Sequence, residues 1–528
     1  MAFNWARKDA VPPAVLQPYE DSHSARRHRR LGSLLAAVLI FFCIPFGFYF
    51  ALFVPYLFVL FTVPMALLAA LTIWALPDMR RAPTRTLTIL YFAFLGALLL
   101  WPNYLAIALP GLPWITLLRL TGLPMVLLLL ISISVSGEFR ATLAAPLKAT
   151  PLIWKALALF VCIQFLSIAF SGNTQQSIQR FVVFQTNWTA IFFVSCYVFL
   201  QEKRPQRWAA LVWSVAIFLG TIALVESTQQ RVLWAGHIPG FLKIEDPTVQ
   251  RILAGATRLT TGQYRAQSTF STSLGLSEFM ALSLPFTLHF IASSNNRLVR
   301  LAAIASVPFY LIVILATDAR LGILGFFIGT MGYLLFWAAL VWRRKRDSLI
   351  APAIVLAYPI LFAAVVAISF LVGRVRNKVW GTGQYAASNE GRMDQIASGL
   401  PKVLTHPIGH GPGMGADALG YANRAGVATI DSYFLLIGLE YGVIGFILYY
   451  GMMIACIYYA IKYAWSAYQR HPDYALLIPA AVSLASFFAI KAVFANDDNH
   501  PLVFMIMGMV VALVYRIQRD PLGQGTRK

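Results

Sequence analysis

Basic side chains fall in two hydrophilic stretches: Arg251, Arg258 and Arg265 within 227–271, and Arg374, Arg376, Lys378 and Arg392 within 373–430. Arg320 adds another in the short turn "ATDARLG", 316–322. A guanidinium is a planar fork that meets phosphate oxygens two at a time, so such a set suits an anionic ligand, and a diphosphate is the natural one. The alternative is internal pairing with Glu245, Asp246, Asp318, Glu390 and Asp394, or contact with lipid headgroups.

The stretch "IDSYFLLIGLEYGVIGF", 430–446, places Asp431 and Ser432 at the start of an apolar helix. Two roles are open to Asp431. Its side chain suits a helix N-cap, and it could equally orient a substrate hydroxyl or an arginine. A helix N-terminus and nearby arginines both favour the ionised carboxylate. A carboxylate stabilised in that way is a weak general base, so orientation is expected over full proton abstraction. Gly438, Gly442 and Gly445 fall on one helical face, where small residues let another helix approach closely.

Other clusters carry less. His406 and His410 have the i, i+4 spacing of a zinc helix, but Pro407, Gly409 and Gly411 break the helix that would align them, and no metal is expected. "NDDNHP", 496–501, could hold a divalent cation or be a solvated loop. Glu278 lies inside an apolar span, where a carboxylate is either functional or paired; it is a candidate for substrate contact or for pairing with an arginine. Arg119 suits snorkelling. The chain has no phosphate-binding P-loop, no GxSxG and no dinucleotide fingerprint, so a nucleotide-powered mechanism has no support and no cofactor is expected.

The elements that must position these residues are membrane helices. The chain is 59% hydrophobic and 12% charged, with a mean hydropathy of +0.68. Runs long enough to cross about 30 Å of hydrocarbon recur along it. About fourteen spans (12–14) are expected, near 33–53, 55–77, 86–104, 114–135, 152–171, 182–200, 208–226, 272–292, 301–317, 322–341, 349–372, 432–461, 474–493 and 501–516. The expected fold is an all-α polytopic integral membrane protein. The net charge of +21 follows topology: with a cytoplasmic N-terminus, about two thirds of Lys and Arg fall on the cytoplasmic side, and no nucleic-acid partner is implied. "RRHRR" (26–30), "QEKRPQR" (201–207) and "WRRKRD" (342–347) are the densest groups. The apolar stretch after the basic tail is too long for a cleaved signal. Cys43, Cys162, Cys196 and Cys456 read as core thiols.

The expected organisation is a cytoplasmic basic tail at 1–30, N-terminal transmembrane helices at 31–226 and a non-cytoplasmic loop at 227–271. Central helices follow at 272–372, a large non-cytoplasmic loop at 373–430, C-terminal helices at 431–516 and a cytoplasmic tail at 517–528. Both long loops lie on one face and can meet over one site; loops of this length are usually functional. In the second, Met393, Ile396, Leu400 and Val403 have helical spacing, which predicts a short amphipathic helix on the membrane surface, kinked at Pro401. The glycine-rich turn 409–415 could present backbone N–H groups to an anion or be a plain tight loop.

Four pieces in order resemble the O-antigen ligase and Wzy polymerase family of bacterial surface-polysaccharide enzymes. They are "YRAQSTFSTSLGLSEFMALSLPF" (264–286), "DARLGILGFFIGTMGYLLFW" (318–337), "GRMDQIASGLPKVLTHPIGHGPG" (391–413) and "DSYFLLIGLEYGVIG" (431–445). Together they span roughly 258–450. The resemblance implies a GT-C-like, metal- and nucleotide-independent glycosyltransferase that moves a glycan from undecaprenyl diphosphate onto an acceptor hydroxyl at the periplasmic face of the inner membrane.

On that reading Arg320 and Arg392 match the family's key arginines and would grip the departing diphosphate, with Asp431 completing the catalytic group. Arg265, Arg258, Glu278, His406, Arg374 and Arg376 are the substrate-contact candidates. Ligases of the family carry His where this chain has Asp431, which with "RAQSTF" before a Leu-Pro helix brings it closer to the polymerase branch. The implied activity is polymerisation of lipid-linked repeats. Its partners would be the lipid-linked glycan, the bilayer and chain-length or other assembly proteins. The alternatives are ligation of finished polymer to lipid A-core or another acceptor, and transport of a lipid-linked sugar.

Overall fold

The computed structural model describes residues 67–78, 82–108, 114–257, 262–344, 349–380, 386–422, 428–468 and 470–520. These are almost wholly helical, and eleven of the described helices are long and apolar enough to cross a membrane. The protein is a polytopic all-α membrane protein. The expected span 33–53 and most of 55–77 lie outside the described residues; within the latter, 67–74 are helical.

In chain order the helices are α1 (Thr84–Leu100), α2 (Leu117–Val135), α3 (Gly137–Ala149), α4 (Pro151–Ser167), α5 (Thr174–Phe184), α6 (Ala190–Val198) and α7 (Arg204–Gln229). A short helix α8 (Pro247–Leu253) precedes α9 (Ser273–Ser293), α10 (Arg297–Ala316), α11 (Arg320–Arg344) and α12 (Ile350–Leu371). Next come α13 (Gly373–Trp380), α14 (Ala386–Thr405) and α15 (Gly415–Leu419), then α16 (Tyr433–Ala467), α17 (Leu477–Lys491) and α18 (His500–Arg519). Two antiparallel ribbons of two residues per strand complete the list: β1 (Ala106–Ile107) with β2 (Ile115–Thr116), and β3 (Ala256–Thr257) with β4 (Tyr264–Arg265).

The chain forms two compact units. The smaller comprises Met1–Ala82, Pro110–Leu112 and Leu130–Gly137; in it the Ser134 hydroxyl donates to the Ile73 carbonyl at 2.6 Å. The larger comprises Pro83–Leu109, Pro113–Leu129 and Glu138–Lys528, and holds every candidate site residue.

Within the larger unit, side-chain polarity sorts the helices. α9, α17 and α18 form the interior, and α9 buries Ser277, Glu278, Ser283, Thr287 and His289 among its apolar residues. α12 is apolar but for Tyr358 and Ser369, and Leu356, Ile360, Phe362 and Leu371 all point outward. In a bilayer this is the expected distribution, since lipid-facing positions take apolar side chains and polar groups find partners inside. α11 lies close on α9, because a Cβ on Gly325 would come within 2.6 Å of the Ala281 Cβ.

Three sequence expectations change. The span expected at 182–200 starts earlier, and α5 joins α6 through a π-helical turn, Gln185–Thr189. Cys162 is exposed on α4; only Cys196 and Cys456 are core thiols among the described residues. The face carrying Gly438, Gly442 and Gly445 is not simply a helix-packing surface. Gly438 receives Val403 of α14, and Gly442 has φ +67 and ψ −172, breaking α16 in its third turn. The turn 407–413 docks on that break: the His410 and Gly411 amides donate to the carbonyls of Leu439 and Glu440, at 2.9 and 3.0 Å. A side chain at Gly442 would collide with the Pro407 carbonyl, so only glycine satisfies both the backbone angle and the contact.

Candidate functional site

The site is built on α14. Its outward face carries Met393, Ile396, Leu400 and Leu404, all exposed, as suits a helix lying at an apolar surface. Its inward face carries Asn389, Arg392, Gln395 and Gly399, each about one turn beyond the last. Gly399 seats the helix on the start of α16, since a Cβ there would press on Leu435 and Leu419. Pro401 lies inside the helix.

Arg320 meets this face beside Arg392, and a third arginine, Arg265, is bonded to the turn that precedes Arg320. Arg320 opens α11, and its Nη1 reaches Asn389 Oδ1 at 3.5 Å. Arg392 follows Asn389 by three residues and places Nε 3.6 Å from Asp431 Oδ2. Arg265, on β4, donates from Nε to the Thr317 carbonyl at 3.2 Å, three residues before Arg320. The Ala266 amide donates to the Ala316 carbonyl on the same turn. Asp318 within that turn is buried and has φ +48, an uncommon angle for a residue with a side chain.

What holds Arg265 there is a residue the sequence reading passed over. Glu226, buried near the end of α7, accepts from the Tyr264 hydroxyl at 2.7 Å and from the amides of Gln267 and Ser268 at 3.2 and 2.7 Å. Burial, with the Glu226 carboxylate alongside, pushes the Tyr264 phenol upward and keeps it a donor.

Asp431 is not the helix cap. Ser432 is, its hydroxyl accepting from the Leu435 amide, while the Asp431 amide donates to Gln395 Oε1 at 2.8 Å. The Asp431 carboxylate is thereby left to face Arg392, with side chains 39% and 25% exposed, an ion pair open to exchange with a ligand.

Glu278 is engaged elsewhere. Its carboxylate lies 2.9 Å from Lys491 Nζ and accepts from the Asn499 amide at 2.9 Å, fully buried. Its partner is a lysine, not an arginine. Lys491 sits among the rings of Tyr433, Phe487 and Phe494, 4.8–5.2 Å from their centroids, and donates to the Asn496 carbonyl.

The remaining candidates do not join the arginine group. His406 is exposed, its Nδ1 beside the Thr405 hydroxyl at 3.0 Å. The His406 and His410 rings are 4.4 Å apart, and His410 Nδ1 donates to the Leu439 carbonyl. Arg376 is exposed on α13; Arg374 belongs to the same helix with its side chain outside the described residues, and Arg258 lies outside them altogether. No group of three metal-binding side chains occurs among the described residues. In "NDDNHP", Asp498 accepts from the Ser271 hydroxyl at 2.7 Å and the Asn496 amide at 3.2 Å, which ties the loop to the start of α9.

The class is thus a many-helix membrane protein with an arginine-carboxylate site at the end carrying the long loops. Residues 280–450 match the sequence model of the family described as O-antigen ligase, so this segment of the chain is similar to that family. The segment contains Arg320, Arg392 and Asp431, and leaves outside it Arg265, Glu278 and Lys491. No curated protein matches the chain.

Proposed function

We propose that this protein is a glycosyltransferase of the bacterial inner membrane that polymerises undecaprenyl-diphosphate-linked oligosaccharide repeats at its periplasmic face. The observation that carries the reading is the convergence of Arg320 and Arg392 through Asn389, opposite Asp431, inside the matched family segment. Fixed positive charge is what a departing diphosphate needs. It is preorganised, so it stabilises the charge that develops as the glycosidic bond breaks. Arg392 would exchange Asp431 for phosphate oxygens, and Asp431, held by its backbone to Gln395, would orient a hydroxyl or the guanidinium. Arg265, on β4 and bonded to the turn that precedes Arg320, is the third arginine for the same group. The glycan-bearing lipid would reach the site from the bilayer, beside the outward apolar face of α14. No cofactor is needed for this chemistry.

The description of the matched family favours a second reading, transfer of finished polymer to an acceptor such as lipid A-core. Mass spectrometry of lipid-linked glycans in cells lacking the gene separates the two. Single repeats accumulating on the lipid, with long chains lost, supports polymerisation. Long lipid-linked chains accumulating instead supports ligation. A lipid-linked pool identical to wild type overturns both.

A further inference from the structure

Several carboxylates stand at the loop-bearing end, and most are committed. Asp431 faces Arg392, Glu278 is bonded to Lys491 and Asn499, and Asp498 is bonded to Ser271 and Asn496. Glu440 is buried against the Gly413 amide in the docked turn. Asp497 differs. Its side chain is 36% exposed, yet Oδ1 is turned inward and has no hydrogen-bond partner among the described residues.

What Oδ1 faces is His500, 3.9 Å away at Nδ1. His500 is fully buried, and neither ring nitrogen has a hydrogen-bond partner among the described residues. The ring cannot turn away to find one. It stacks on Trp188 at 4.9 Å, lies 4.6 Å from the Tyr433 ring and meets Phe487 edge-on at 5.1 Å. Trp188 belongs to the π-helical turn between α5 and α6, an irregularity frequent at functional sites. Tyr433, whose ring touches His500, opens α16 two residues after Asp431. A buried imidazole with no partner is costly unless some state of the protein provides one.

We propose that Asp497 is the residue that receives the acceptor hydroxyl and that His500 is its positioning residue. This rests on the glycosyl-transfer reading. The outer oxygen of Asp497 accepts the hydroxyl hydrogen bond, and His500 Nδ1–H closes on Oδ1 as substrate binds, since such contacts are often long before it does. In the transfer step the hydroxyl proton passes to Asp497 and the acceptor oxygen bonds to the anomeric carbon. The bond from that carbon to the diphosphate oxygen breaks, and its electron pair leaves with the diphosphate, beside Arg320 and Arg392.

The test uses the purified full-length protein in lipid nanodiscs with a labelled undecaprenyl-diphosphate oligosaccharide. Donor retention and transfer are read in the same sample, so retention also reports the fold. Asp497→Asn is expected to retain the donor as wild type does and to lose transfer by about 100-fold or more. Asp497→Glu, which keeps the acid, is expected to retain measurable transfer. His500→Leu should lower kcat with KM unchanged, and His500→Asn, whose amide offers a donor near Nδ1, should restore part of it. Asp497→Asn transferring within about threefold of wild type overturns the assignment and leaves the glycosyl-transfer reading standing. His500→Leu at the wild-type rate overturns the positioning role. A wild-type protein that transfers nothing from the lipid-linked donor overturns the reading and the assignment together.

Discussion

Two ion pairs at the loop-bearing end use the same chemistry in opposite surroundings. Lys491 and Glu278 meet at 2.9 Å with both side chains fully buried, and their remaining valences are taken by Asn499, Asn496 and three aromatic rings. Arg392 and Asp431 meet at 3.6 Å, both partly exposed. The buried pair fixes the junction of α9, α17, α18 and the start of α16, and has nothing to spare for a ligand. The open pair is partly exposed to its surroundings and is the one whose partners a ligand could reach. Charge inside a membrane protein is therefore not by itself a sign of chemistry; what separates structure from function here is whether the charge is already satisfied.

The largest effect should come from breaking the buried pair. Lys491→Met leaves the Glu278 carboxylate buried without its cation, which costs about 3–5 kcal/mol. A large fall in the Tm of detergent-solubilised protein is expected, and Lys491→Met with Glu278→Leu should recover most of it. A single variant melting with the wild type would show that the pair does not hold the junction.

The open pair should behave in reverse. Arg392→Ala removes a partly exposed contact worth about 0–1 kcal/mol, so Tm should barely move. Transfer should nevertheless fall by about 100-fold or more. Arg392→Lys should recover little, because an ammonium cannot reproduce the bidentate fork. Loss of stability without loss of transfer would reverse the comparison.

A smaller effect sharpens the role of Asp431. Ser432→Ala removes the cap of α16 and should cost about 1 kcal/mol, whereas Asp431→Ala should leave Tm near wild type and depress transfer. Equal losses of Tm would put Asp431 back into the cap.

The smallest concerns Asp498. Burial raises its pKa above the ordinary carboxylate value, against the hydrogen bonds from Ser271 and Asn496. Its folded-state pKa then exceeds the unfolded one, so its contribution to stability is present at low pH and is lost as pH rises through the raised value. Asp498→Asn should therefore melt with the wild type near pH about 4 and slightly above it near pH about 8. A gap that shrinks with rising pH would contradict the sign.

The helices were readable from the chain, and the candidate arginines stood out in it, because these signals are local. A long apolar run declares a span wherever it occurs, and Arg320, Arg392 and Asp431 stand in ordered segments that resemble one family. Other features arise only when segments far apart in sequence meet. Lys491 at the end of an apolar span reads as an ordinary snorkelling lysine until Glu278, Tyr433 and Phe494 close around it. Glu226 has no sequence context that announces three hydrogen bonds from a loop about forty residues on. Gly442 in a membrane helix looks like a packing glycine, and its positive φ is decided by the turn that docks on it. Adjacent Asp431 and Ser432 both have the chemistry of a cap, and Gln395 on another helix decides between them by holding the Asp431 amide. Hydropathy and residue order are properties of one segment, which is why the sequence alone determined the class and singled out the candidate arginines. Satisfaction of a buried charge or an unpaired amide is a property of at least two, and only the tertiary structure chose the partners.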